Sequence, residues 1–194
     1  VENQLFNLIE KLTHNIDAII LQDYNKGVLT KNIIEKILSL ANNKNIPTIV
    51  DPKKHNFLSY KNCTLFKPNL KEIKDGLNII EDINDFNEIE KTTSKLRDII
   101  SAKAILLTLS NKGIFLNTNN GSKLTESTTT NVIDVSGAGD TVVSVAAMCL
   151  ACNIDLNELA ILANIAGGIV CEKVGVVPIT NQELFNRAKK LLNV

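Results

Sequence analysis

The chain lacks net charge, since 21 lysines and arginines face 21 aspartates and glutamates over 194 residues. Nucleic acid calls for a basic face and an anionic membrane surface for a polybasic patch, so neither is an expected partner and small molecules are favoured. Long apolar runs are also missing. Runs such as 105–109 fall far short of the roughly 20 residues a membrane span needs, and no basic segment with an apolar core opens the chain, so a cytoplasmic protein is expected. The four cysteines, Cys63, Cys149, Cys152 and Cys171, are too few for a disulfide scaffold at this length. Cys149 and Cys152 form a C-x-x-C, but the run around them is apolar, there is no second pair, and the only histidines are His14 and His55. Small core side chains are the expected role, rather than metal or redox chemistry. Arg97 and Arg187 are the only arginines, while lysine and asparagine abound. That bias reads as an AT-rich genome and carries no function.

Apolar side chains are plentiful, at 44%. At about 150 residues per domain the length allows one domain or slightly more. The chain begins at Val1 without a methionine, in an amphipathic helix expected from Glu2 to Thr13, which points to a processed product or the later part of a longer protein.

Strand and helix patterns then alternate. The run 18–21 suits a strand buried on both faces; DYNKG (23–27) is a turn; Thr30 starts a helix with Ile33, Ile34, Ile37, Leu38 and Ala41 inward; Pro47 to Val50 is a second strand. A third short strand, Thr64 to Phe66, precedes a helix from Leu70. Glu81 to Ile100 is expected as helix and Ala104 to Leu109 as strand. Alternation of this kind argues for an α/β fold with a mostly parallel sheet. Around Asn119-Asn120-Gly121 two short runs read as a hairpin. A strand over Asn131 to Val135, a glycine turn, and helices over Asp140 to Cys152, Leu156 to Val170 and Gln182 to Leu192 complete the chain.

The chemistry concentrates in DVSGAGDT (134–141). Gly137 and Gly139, between a strand and a helix, let the backbone turn tightly and aim several N–H groups at one point, and the helix dipole adds positive potential there. Such an anion hole with a carboxylate, Asp140, beside it suits phosphoryl transfer to an alcohol, the carboxylate taking the proton. On spacing alone a second reading stands equally: Asp140 is an ordinary residue of a helix first turn and the glycines merely permit the bend. G-x-x-x-x-G-K-[ST] and G-x-G-x-x-G are both absent, which demotes a P-loop ATPase and a nicotinamide dehydrogenase.

DVSGAGDT closely resembles the second signature of the ribokinase-like (PfkB) carbohydrate kinases. KPNLKE (67–72) is similar to that family's N-x-x-E motif, TLSNKG (108–113) to its T-x-x-x-x-G segment, and Ala163-Asn164 with KVG (173–175) to its adenine region. The order agrees too. DYNKGVL (23–29), VDPK (50–53) and KPNLKE look most like the heptose-7-phosphate kinase branch, which supplies ADP-heptose for lipopolysaccharide. The resemblance covers essentially the whole chain.

It implies a three-layer α/β/α fold, with ATP and Mg2+ as cofactors and a sugar phosphate as acceptor. Asp140 would be the base for the anomeric hydroxyl, and the amides of Gly137, Ala138 and Gly139 would hold the transferring phosphoryl group. Asn69 and Glu72 would organise magnesium and its waters; taken alone, they read as a helix cap and its capping partner. Thr108, Ser110 and Gly113 would lie along triphosphate and ribose, with Asn164 and Gly175 near adenine. Asp134 and Ser136 occupy positions that in many relatives help bind a monovalent cation, so K+ is a further candidate. Lys26 and Lys53 follow strands and would suit a sugar phosphate or the ATP tail, unless they are simply solvated. Full-length relatives carry an earlier segment with further strands, the lid and most sugar contacts, and are often dimers through that lid. The expectation is therefore the C-terminal, nucleotide-binding and catalytic portion of one kinase domain, over residues 1–194. A kinase for another sugar or a nucleoside, and an inactive nucleotide-binding fragment, are the alternatives.

Overall fold

The computed structural model describes residues 1–83, 85–129 and 131–192. A six-stranded sheet runs in sequence order: β1 (Ile19–Gln22), β2 (Thr48–Asp51), β3 (Leu65–Phe66), β4 (Ala104–Thr108), β5 (Ile114–Thr118) and β6 (Gly121–Thr125). The first four are parallel, with Leu21 opposite Val50, Val50 opposite Phe66 and Phe66 opposite Ile105. The β5–β6 hairpin then adds two antiparallel strands.

Each parallel strand is added on the same side of its predecessor, so right-handed crossovers deliver the intervening helices to one face. These are α2 (Lys31–Asn43), α3 (Leu70–Leu77) and α4 (Phe86–Ile100), joined at the edge by α1 (Glu2–Leu12). Strand residues of one parity, Leu21, Val50, Phe66, Ile105, Leu107 and Phe115, form a core with them. The other parity, including Ile49, Leu65, Leu106 and Leu116, meets α5 (Ala138–Ala151) and α6 (Leu156–Cys171). Leu184 of α7 (Asn181–Leu192) packs against that second cluster. The result is the expected three-layer α/β/α arrangement.

Local chemistry sets the ends. Thr30 caps α2 by accepting from the Ile33 amide, and five apolar residues at helical spacing are buried behind it. Complete burial of side chains such as Ile33 and Ile34 contributes about 1.5–3 kcal/mol each. In α5 and α6, small residues such as Ala146, Ala147, Ala163 and Ala166 are buried where the two helices pack.

Four expectations need correction. β1 is not buried on both faces: Ile20 is 42% exposed, because β1 is the edge of the sheet. Helix α4 starts at Phe86 rather than Glu81, since Asp85 and Glu88 form a reciprocal capping box there; Asn84, within the expected helix, lies outside the described residues. Residues 131–135 are not a strand but an irregular segment, pinned by the Ile133 and Asp134 amides to the Cys171 carbonyl. Cys149 is buried as expected, whereas Cys152 is exposed at the C-cap of α5.

Candidate active site

In an open parallel sheet, ligands bind beyond the carboxyl ends of the strands. Here the parallel strands are mostly apolar and give way to polar residues at that end: Gln22 on β1 and Asp23 after it, Asp51 on β2, Lys67 after β3 and Thr108 on β4. A cavity of about 670 Å³ opens beside them. Its walls are the 67–71 and 108–114 segments, Val132 and Val135, the start of α5 at Ala138 and Gly139, and Asn164, Gly167, Gly168 and Cys171 of α6.

The α5 turn is built by conformation. Gly137, at φ +79°, occupies the N-cap in the left-handed region, which a side chain would disfavour. Thr141 donates to the Gly137 carbonyl at 3.0 Å, so the helix begins at once. The amides of Gly139 and Asp140 lie in the first turn, where no intrahelical acceptor precedes them, while the Ala138 amide donates to Val135 at 3.2 Å. Asp140 is exposed, and its carboxylate accepts from the Gln22 side-chain amide at 2.9 Å.

Asn69 and Glu72 form a capping box at the start of α3: Asn69 Oδ1 accepts from the Glu72 amide at 2.8 Å, and Glu72 Oε2 from the Asn69 amide at 2.9 Å. The capping reading of the pair is thus realised, and Asn69 lines the cavity while Glu72 does not. Lys53 binds the other Glu72 oxygen at 2.5 Å. Burial pulls the Lys53 ammonium down, but the bond to Glu72 and the charges of Glu72, Asp51 and Asp23 outweigh it and hold the group above its ordinary value. An isolated bridge joins Asn69 to Thr108, and the Thr108 amide donates to Pro68 at 3.0 Å, so the two segments meet at the cavity.

Ser110 is exposed in a short turn at φ +55°, on the cavity wall. Gly113 has φ +99°, and a Cβ there would stand 2.1 Å from the Thr125 carbonyl oxygen, so only glycine lets the hairpin close against this wall. Asn164 also lines the cavity, with its side-chain amide spent on the Glu126 carbonyl at 2.8 Å.

Other expected residues lie apart from the cavity wall. Gly175 donates to Asp134 Oδ2 at 2.9 Å, and Asp134 Oδ1 accepts from the Ser136 amide and hydroxyl. These three donors, Ser136 first, hold the Asp134 carboxyl below the usual range and tie the glycine turn to the loop after α6. Lys26 is exposed in the loop after β1 and does not line the cavity. Among the described residues no group of three or more His, Cys, Asp or Glu could hold a metal ion.

Sequence reasoning missed a connected set. Gln22 donates to both Asp140 and Asp51, the latter at 2.5 Å, and Asp51 pairs with Lys67 at 2.9 Å. Lys67 and Asp51 are 3% and 6% exposed. The signal available was a polar or charged residue at the carboxyl end of each parallel strand. Behind this set, the buried Asp23 accepts from the Tyr60 hydroxyl at 2.7 Å; burial, then that bond, pushes the Tyr60 phenol well up.

Residues 2–182 match the model of the pfkB family of carbohydrate kinases. The chain is similar to the "Bifunctional protein HldE" of Campylobacter jejuni (strain RM1221), 37% identical over 184 residues, and to that of Koribacter versatilis, 35% identical over 182. It aligns over 95% and 92% of its own length and spans 39% and 37% of theirs. Among solved structures, phosphofructokinase-2 from Escherichia coli in complex with potassium superposes with TM-score 0.83 at 19% identity, covering 96% of this chain and 62% of that one. Ribokinase of Arabidopsis thaliana, complexed with ribose and ATP, gives 0.80 at 17%, covering 94% and 59%.

Proposed function

Because this chain belongs to the pfkB family of carbohydrate kinases, we propose that it forms the nucleotide-binding and catalytic side of an ATP-dependent sugar kinase acting on heptose 7-phosphate to give the 1,7-bisphosphate. The observation that carries this reading is the glycine-capped start of α5, with Asp140 in its first turn, beside a cavity large enough for a nucleotide. The heptose assignment rests on the resemblance of DYNKGVL, VDPK and KPNLKE to that branch, and is supported by the similarity to HldE.

The Asp140 carboxylate takes the proton of the acceptor hydroxyl as its oxygen attacks the γ-phosphorus. The first-turn amides of α5, aided by its dipole, stabilise the charge on the transferring group. The apolar walls formed by Leu109, Ile114 and Val142 suit a flat base, and Thr108 and Ser110 offer hydroxyls to the phosphates and ribose. Magnesium, when bound, would neutralise phosphate charge; the Asn69 and Glu72 oxygens fit it through water, as a hard cation carried mainly by phosphates requires. For K+, Asp134 and Ser136 are the residues to test, Asp134 already being engaged by three donors.

Asp140→Asn is expected to lower ADP formation by about 10²–10⁴-fold while leaving ATP affinity nearly unchanged; retained turnover would remove the assigned role. ADP release with heptose 7-phosphate, fructose 6-phosphate, ribose and a nucleoside identifies the acceptor, and turnover with one of the others alone replaces the heptose assignment. A second reading is nucleotide binding without transfer. It predicts ATP-dependent thermal stabilisation with no ADP from any acceptor.

A further inference from the structure

Asp140 does not line the large cavity. The cavity reaches the glycine turn of α5 through Ala138 and Gly139, whereas the Asp140 carboxylate is held towards β1, 2.9 Å from the Gln22 side-chain amide. Phosphoryl transfer brings the attacking and leaving oxygens roughly into line. With the nucleotide on the cavity side, the acceptor therefore approaches from the side of β1, the edge of the sheet. The segment that leaves β1 at that point is the loop 23–30, which leads to α2.

Both ends of this loop are fixed from below by buried polar groups. Asp23 is buried and accepts from the Tyr60 hydroxyl and from the Asn25 amide, each at 2.7 Å. At the other end the buried Asn56 donates to the Leu29 carbonyl at 2.6 Å, and its own Oδ1 has no partner among the described residues. A buried carboxylate and an unpartnered amide oxygen both oppose folding. What they hold in place is the loop. Between the two anchors residues 24–28 are all exposed, and Asn25 at φ +52° and Gly27 at φ +83° bend the backbone on either side of Lys26. Lys26 is thus presented on a tethered loop, and it joins no ion pair among the described residues. The other cations that follow parallel strands here are engaged, Lys53 by Glu72 and Lys67 by Asp51.

We propose that Lys26 is a specificity-determining residue for the acceptor, its ammonium binding the phosphate that the sugar already carries. Lys26 lies four residues beyond Gln22, at most about 14 Å along the chain. It can therefore meet the far end of a sugar whose hydroxyl is at Asp140. A lysine ammonium is a compact charge with three donors, suited to a terminal phosphate. Selection follows from the contact, since a sugar without the phosphate gains nothing from Lys26. The inference rests on the kinase reading given above, and it adds where the acceptor lies and what distinguishes a phosphorylated one.

Because Lys26 is exposed and unpaired, Lys26→Met leaves the fold intact, and Lys26→Arg keeps the charge. The affinities of the 194-residue chain and both variants for heptose 7-phosphate, for the same heptose without phosphate, and for ATP with magnesium are measured by calorimetry. Loss of a charge-assisted contact predicts that Lys26→Met binds heptose 7-phosphate about ten- to a hundredfold more weakly, with the affinities for heptose and ATP unchanged within about twofold. Lys26→Arg should recover most of that loss. Equal losses for the two sugars, or no loss for either, would overturn the role of Lys26 while leaving the kinase reading intact. Fructose 6-phosphate bound in place of heptose 7-phosphate, and still dependent on Lys26, would overturn the heptose assignment and leave the role of Lys26. A wild-type chain that binds ATP but no sugar phosphate would overturn this inference.

Discussion

Asp51 shows how much one residue can hold at this site. Its two oxygens serve Lys67 and Gln22, and through Gln22 they reach Asp140. Asp51→Ala would strand the Lys67 ammonium in a site where it is 4% exposed, and breaking a buried pair from one side costs about 3–5 kcal/mol. Chemical denaturation is expected to show a loss of that size, and Asp51→Asn a loss approaching it, because the one amide oxygen accepts from only one of the two donors and the counter-charge to Lys67 is gone. Gly113 makes a second prediction. Gly113→Ala forces a side chain into a left-handed position, 2.1 Å from the Thr125 carbonyl oxygen, and should destabilise by about 2 kcal/mol or more in the same measurement. The sequence disclosed residues of these two kinds unequally. Gly113 and Asp140 were legible because each belongs to a local pattern, a turn or a helix start, whose geometry follows from a few neighbours. Gln22, Asp51 and Lys67 were not, because what joins them is the lateral pairing of three strands far apart in the chain.

Elements were read well where a cap or a period defines them. α2 begins after Thr30 and α3 after Asn69 because each side chain accepts from an amide three residues on. α4 was misplaced because an acidic stretch resembles a helix exposed on one side, yet the capping box at Asp85 and Glu88 decides the start. Segment 131–135 was misread for the opposite reason: Val132, Ile133 and Val135 have strand propensity, but the Ile133 and Asp134 amides find the end of α6 rather than a sheet edge. α7 depends on charge more than on packing. Glu183 accepts from Lys173 at 2.5 Å, and Arg187 grips Glu172 with two bonds, so one of the two arginines is spent on fastening this helix to α6. The other, Arg97, ties α4 to β5 through Asn117. The bond from Lys173, then those from Thr180, lower the Glu183 carboxyl to about 2. A carboxylate whose folded value lies below its unfolded one stabilises above the unfolded value, and that stability fades as pH falls from about 4.5 towards 2. Amide exchange across α7 should therefore quicken over that window. In Lys173→Met the Glu183 midpoint, followed by NMR, should rise towards 4.5, and a wild-type midpoint already near 4.5 would contradict the pairing.

At the scale of the whole molecule, the sheet separates two cores and leaves its two ends chemically unlike. The carboxyl ends of the parallel strands gather the charged set, the glycine-capped helix start and the large cavity. At the far end, residues such as Asn42, Pro47, Thr64 and Asn153 line a smaller cavity of about 370 Å³. That asymmetry follows from the winding, which sends every crossover back beneath the sheet and leaves the strand ends to carry loops. It also makes the central claim spatially specific. The most direct measurement is an NMR titration of the chain with magnesium and ATP, following backbone amides at both ends. The account predicts saturable shifts concentrated in 67–71, 108–114, 137–141 and 164–168. Shifts confined to 42–47 and 150–156, or no saturable response at all, would contradict it.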